Sequence, residues 1–500
     1  MKTYDVTDEF IEPSKQKKNI RTKIISDDDI TELEPPSKKA GTSSPLSPIQ
    51  KKALGLLIAS LVLLVFVLSF LIYADGFTKS EKVTSISSEK TSELNLLLDS
   101  QFPLRTQILQ SSSYNPKLDV WAGAAILIDA ASGTVLYEKN ADAIIPPASI
   151  AKLFVMYIVF KDAAEGKVSL DDVVPVPEKS WAVNMPRDAS LMFLGQGHIV
   201  TLRELLKGLA VASGNDAALA VANYISGSTQ AFVERMNEEC AALGLKNTHF
   251  VEPSGYDEHN LTTARELGAF CCEYIRRFPQ SVEEFHSAPS IKYPMGKNLP
   301  SWQKDKGDTT AIYQKNTNPL LGQLEGCDGI KTGFIYESRY NLALTAKRNG
   351  VRFISVTMMG TGVGSKQGNA GRVHDGTEMM EWAFENFEDF VPSSKLPEYF
   401  AIPSIGAKNI DGKFVKLIPA WTRPITVPKI SGSSPAENVK INVTMPKFIY
   451  GGVEAGKAYG ELQYVSEGTI LETVPLVADR SDEKAGLFGR LMGALVSWKL

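Results

Sequence analysis

Three short stretches hold residue types that can do chemistry together. Ser149-Ile-Ala-Lys152 follows Pro146-Pro147 and opens a helical pattern. Ser213-Gly-Asn215 interrupts a helical region, LLKGLAVASGNDAALAVANY. Lys331-Thr332-Gly333 lies in a strand pattern, CDGIKTGF. A serine hydroxyl is a weak nucleophile near neutral pH, so another group must take its proton. Residues i and i+3 of a helix share a face, which brings Lys152 within reach of the Ser149 oxygen. A lysine serves as base only when its pKa falls, and burial or a nearby cation lowers it. Lys331 is the candidate cation, and helix N-terminal amides add a field that favours negative charge. In this scheme of acyl transfer Ser149 is the nucleophile, Lys152 the general base and Ser213 a proton relay to a leaving amine. Asn215 orients Lys152 and binds a substrate amide.

A strand carrying Lys331, Thr332 and Gly333 can pair with an extended peptide. Gly333 would leave room for its approach, and Thr332 with Lys331 would hold a terminal carboxylate. The backbone NH groups of Ser149 and Phe334 are candidates for an oxyanion hole. None of these patterns means much alone. The spacing of Ser149-Lys152 recurs at Ser14-Lys17, and that of Ser213-Asn215 at Ser113-Asn115, both in polar segments. The signal is their order and their context.

The elements that must position these residues read as follows. AAILIDAASGTVLYEKN is two apolar runs around Ser132-Gly133, a β-hairpin pattern. Helical patterns run from about Ser149 to Glu165, Leu202 to Tyr224 and Thr229 to Leu243, and strands return at CDGIKTGF and RFISVTMMG. That order predicts an α/β or α+β domain with a largely helical insertion over residues 116–395. From 396 to 482 the texture changes to a small all-β module. In VKINVTMPK, Val439, Ile441, Val443 and Met445 alternate as in a half-buried strand.

The 500-residue chain has a net charge of −4 and 43% hydrophobic residues, an ordinary globular balance with no basic excess for nucleic acid. Its four cysteines form no CxxC pair, and its five histidines show no HExxH spacing, so neither a disulfide scaffold nor a metal hydrolase is expected. No metal or cofactor is called for. Ala53 to Ala74 carries no charge over a length that spans a bilayer. Lys51 and Lys52 precede it and Asp75 follows, so the positive-inside rule places residues 1–52, a polar tail read as disordered, in the cytoplasm. Residues 75–115 read as a tether, and everything from residue 75 onward lies outside. In the last stretch, 483–500, Phe488, Leu491, Met492, Leu495 and Trp498 share a helical face with basic flanks, the pattern of an interfacial membrane helix.

With the ordered trio in view, the chain resembles the low-molecular-mass penicillin-binding proteins of the type 5 group, serine D-alanyl-D-alanine carboxypeptidases. AAILIDAASGTVLYEKNADAIIPPASIAK, LLKGLAVASGNDAALAVANYISG, FVERMNEECAALGLKNTHFVEPSGYD and CDGIKTGF all read like that family. The resemblance covers about residues 120–390, and the later β module and terminal helix also fit. It implies a transpeptidase-like fold, an antiparallel sheet flanked by helices with a helical subdomain. It further implies an acyl-enzyme route that removes the terminal D-alanine from peptidoglycan stem peptides, with β-lactams acylating the same serine. The family usually has threonine where Ile335 stands, and Ala-Gly where YESRYN stands. One hydroxyl toward a substrate carboxylate is thus missing, and Arg339 or Arg372 are candidates to replace it. Three further readings stand beside the carboxypeptidase: an endopeptidase on cross-links, a β-lactamase, and a peptidoglycan-binding scaffold without turnover.

Overall fold

The computed structural model describes residues 2–5, 47–75, 107–108, 117–305, 311–392, 396–408 and 414–486. Most of the tail and tether, and residues 487–500 of the expected amphipathic helix, lie outside the described residues.

Ala124–Asp129 and Thr134–Lys139 form the expected hairpin. The run AAILID is apolar throughout because both its faces are covered. Ile126 and Ile128 face a core built from the helices Lys152–Ala164 and Ala264–Arg277. Ala125 and Leu127 face Met379, Met380 and Ala383 of the helix Gly364–Asn386. The six-stranded sheet runs Gln107–Ile108, Thr134–Lys139, Ala124–Asp129, Val351–Gly360, Arg339–Arg348, Cys327–Ile335. It is antiparallel apart from the first pair. The strand carrying Lys331 is therefore at its edge.

Lys152–Ala164 (KLFVMYIVFKDAA) is apolar on nearly every side and lies in the middle of the core. A helix of that kind is stable only when enclosed. Phe154 stacks on Phe270 at 3.7 Å, while Tyr157 and Phe160 meet Phe278. Each such side chain contributes about 1.5–3 kcal/mol by leaving water. Its first residue, Lys152, goes into the core with it.

The pattern around Ser213 is broken, whereas Lys331 lies in the continuous strand Cys327–Ile335. The expected helix from Leu202 becomes Leu202–Lys207, a wide π turn at Gly208–Ala212, Ser213 in the left-handed region (φ 58°), and a new helix Asn215–Ser226.

The β module supplies six strands of a seven-stranded sheet, and the paired strands Phe387–Phe390 and Ile425–Pro428 join it to the helix Gly364–Asn386. This ladder begins inside the stretch that the sequence assigned to the first domain. Ile441 and Val443 are buried as their alternation predicts. On the other edge, Lys2–Asp5 pairs antiparallel with Lys440–Met445. Pro48–Asp75 is one helix, and its exposed segment Pro48–Ser69 is long and apolar enough to cross a membrane.

Candidate active site

Ser149 sits in a single 3-10 turn, Ala148–Ala151, and the α-helix begins only at Lys152. Residues i and i+3 nearly eclipse in a 3-10 turn. The tightened start therefore sets Lys152 directly over Ser149. Lys152 Nζ donates to Ser149 Oγ at 2.8 Å, to Asn215 Oδ1 at 2.7 Å and to the Ser254 carbonyl at 2.5 Å. Its side chain is 0% exposed. Burial pushes its pKa down to about 7, against the pull of Glu252 and Asp216. Of the two causes expected from the sequence, burial and the Lys331 cation, burial is the leading one.

Lys331, 1% exposed, donates to Ser213 Oγ at 2.9 Å and to the Thr332 carbonyl at 2.8 Å. Burial holds its pKa well below the ordinary lysine value, and repulsion from Lys152 and Arg372 adds to this. The left-handed turn at Ser213 directs its hydroxyl to Lys331, and Asn215 then opens the next helix. The Asn215 amide donates to the Ser190 carbonyl at 2.8 Å. Two dyads, Ser149–Lys152 and Ser213–Lys331, thus come together, with Asn215 on the first.

Thr332 Oγ1 donates to Thr317 Oγ1 at 2.7 Å. A Cβ on Gly333 would lie 2.7 Å from the Pro147 carbonyl and 3.1 Å from Ala148 Cβ. The missing side chain therefore makes room first for the turn that carries Ser149, rather than for a ligand. Phe334 is 42% exposed and leans on Tyr336 and Tyr340. Ile335 is buried and pairs in register with the exposed Arg339.

Arg372 approaches from the helix Gly364–Asn386. It donates to the Gly333 carbonyl at 2.5 Å, to the Asn341 carbonyl at 3.1 Å and to Asn369 Oδ1 at 2.8 Å, and lies over the Tyr340 ring. Of the two arginines considered for the Ile335 position, Arg339 pairs with the Lys331 strand through its main chain, and Arg372 bonds it through its guanidinium. The Ser254 carbonyl was not visible as a site group, because a main-chain acceptor has no signature in side-chain types. The loop VEPSGYDEHN around it is the only cue.

The sequence profile of the peptidase S11 family, described as D-alanyl-D-alanine carboxypeptidase, matches residues 110–362. The D-alanyl-D-alanine carboxypeptidase DacA of Haemophilus influenzae is 30% identical to the chain, covering 79% of it and 94% of the relative. DacC of Escherichia coli is 31% identical over 75% of the chain and 87% of its own length. The crystal structure of penicillin-binding protein 5 from Haemophilus influenzae superposes with a TM-score of 0.62 at 29% identity, over 74% of this chain and 99% of that one. The match spans the sheet, the helices around it and the β module, and the chain belongs to the D-alanyl-D-alanine carboxypeptidase family of serine peptidases.

Proposed function

We propose that the protein removes the terminal D-alanine from peptidoglycan stem peptides through an acyl-enzyme on Ser149, and that β-lactams acylate the same oxygen. The observation that carries this is the set of partners around Lys152. As an ammonium it has three hydrogens and three acceptors: Ser149 Oγ, Asn215 Oδ1 and the Ser254 carbonyl. As a neutral amine it keeps two hydrogens and one lone pair. Asn215 Oδ1 and the carbonyl only accept, so the lone pair must face the one partner with a proton to give, the Ser149 hydroxyl. With its pKa pushed down to about 7 by burial, the neutral lysine is populated at neutral pH.

Ser149 Oγ then attacks the carbonyl of the penultimate residue while its proton passes to Lys152. The Ser149 and Phe334 amides receive the developing oxyanion. Ser213, bonded to Lys331, hands a proton to the leaving D-alanine nitrogen. The proton held on Lys152 replaces the one Ser213 has given up, so the amine is neutral again; water then attacks the ester as Lys152 takes its proton and passes it to the departing Ser149 Oγ. Lys331, Thr332 and Gly333 line the strand edge on which the peptide lies. Arg372 and Lys331 supply the positive charge for its terminal carboxylate, in place of a hydroxyl at Ile335. The chain is anchored by Pro48–Ser69 with its N-terminus in the cytoplasm and the catalytic domain outside. Inserted this way, residues 2–5 and Lys440–Met445 lie on opposite sides of the membrane, so this topology excludes their pairing.

Full-length protein in detergent, given a peptide ending in D-Ala-D-Ala, is expected to release D-alanine and to form a covalent penicillin adduct. Ser149→Ala is expected to do neither. An adduct that survives in Ser149→Ala assigns the nucleophile elsewhere.

A further inference from the structure

One loop touches both members of the Ser149–Lys152 pair. Its Ser254 carbonyl accepts from Lys152 Nζ. Its next residue, Gly255, has φ +78°, and a Cβ there would fall 1.9 Å from the Ala148 carbonyl oxygen, with the Ser149 amide nitrogen at 2.8 Å. The loop therefore packs against the main chain that leads into the nucleophile and also supplies an acceptor to the base. Its shape sets how far apart the two stand.

That shape is organised by one carboxylate. Glu252 Oε2 accepts from the Ser254 amide at 2.7 Å and from Ser254 Oγ at 2.6 Å. Glu252 Oε1 accepts from the Tyr256 amide at 2.7 Å and from Asn260 Nδ2 at 2.8 Å. Asn260, fully buried, closes the loop from behind by accepting from the amides of Val251 and Glu252. Charge-assisted bonds from one carboxylate to two amides on either side of Gly255 fix a conformation that the loop would otherwise leave. Tyr256 Oη donates to Asp188, which ties the loop to the segment that carries Ser190, the acceptor of the Asn215 main-chain NH.

We propose that Glu252 is a positioning residue for the reaction: it holds the Ser254 carbonyl on Lys152 and keeps a negative charge facing the base. The proposal rests on Lys152 acting as the base. The other charged groups facing Lys152 are Asp216, at the start of the helix Asn215–Ser226, and Lys331 from the edge strand. Asp216 is held by the amides of Met192, Leu194 and Ala217 and by burial, so it is independent of Glu252. Glu252 opposes the burial that lowers Lys152. Without its charge, Lys152 loses its proton at lower pH.

The test compares wild type, Glu252→Gln and Glu252→Asp as full-length proteins in detergent. The rate of penicillin acylation at Ser149 and kcat/KM for D-alanine release are measured from pH 5 to 9, with melting temperatures. Glu252→Gln is expected to move the acid limb of both profiles down by about half a pH unit or more. Its plateau is expected to fall roughly tenfold, through a misplaced Ser254 carbonyl. Glu252→Asp keeps the charge but shortens the arm, so its limb is expected at the wild-type pH with a lowered plateau. A Gln variant whose plateau and melting temperature fall while its limb stays in place has a merely structural Glu252, and that overturns the proposal. So does a Gln variant identical to wild type. A wild type that neither takes penicillin on Ser149 nor releases D-alanine overturns the function reading and this inference with it.

Discussion

Lys152 and Lys331 are the same residue type, both buried, with opposite assignments in the reaction. The difference is in their partners. Lys152 bonds a hydroxyl on the nucleophile and two acceptor-only groups, whereas Lys331 bonds Ser213 and a main-chain carbonyl and has no carboxylate among its leading influences. The base must be neutral to act, so acylation is expected to rise with pH through about 7 and to fall below it as Lys152 takes a proton. Lys152→Ala is expected to slow penicillin acylation by roughly a hundredfold to ten-thousandfold, with the pH limb lost. Stopped-flow acylation across pH reads both, and an unchanged limb in that variant assigns the base to another group.

At the scale of elements, much was legible, and for stated reasons. AAILID and the core of KLFVMYIVF are too apolar to be anything but enclosed, and VKINVTMPK alternates as a strand must. The strand Arg339–Arg348 escaped notice because it starts with charged and polar residues, RYN, though Asn341 is fully buried. The helix Gly364–Asn386 escaped because its glycines blur the apolar period. They let it lie close to the sheet: a Cβ on Gly376 would meet Leu320 and Leu344 within 3 Å. In the site, side chains with a motif were found, while the Ser254 carbonyl, the Glu252 hub and the seat of Arg372 were not. Those depend on loops that come together only in three dimensions.

The edge strand is also backed by a titrating element. His286 packs its Cβ against Gly329 and shares a 3.0 Å hydrogen bond with Tyr274 Oη. Burial, with Lys331 nearby, pushes its pKa down to about 3. An unfolded histidine takes its proton near 6.5, so between these values the unfolded chain binds the extra proton. Stability then falls as pH drops through that window, by about 2 kcal/mol at pH 5 from this residue. Thermal unfolding from pH 7.5 to 5 is expected to show this loss in wild type and a shallower one in His286→Gln. Parallel curves for the two proteins refute the assignment to His286.

For the whole molecule, the apolar helix at the N-terminus predicts how the chain partitions. Full-length protein is expected to float with liposomes, and a protein lacking residues 1–75 to float less. If that truncated protein remains bound and is freed only by removing residues 487–500 as well, a second attachment is established at the other end. Equal flotation of truncated proteins lacking both segments assigns binding to the domains themselves.

Among the described residues, the β module is bonded directly to the catalytic domain. The strands Phe387–Phe390 and Ile425–Pro428 zip directly after the helix, Thr426 Oγ1 donates to Asp129 in the hairpin turn at 2.5 Å, and Lys429 donates to the carbonyls of Asn386 and Phe384. A flexible connection lets a catalytic head sweep a volume that grows with linker length. A stiff joint does not. With the far end of the module held at a surface, such a joint would keep the Ser149 site at one height and one facing, within a thin shell above that surface. Within that shell its effective concentration is high, and beyond it is near zero.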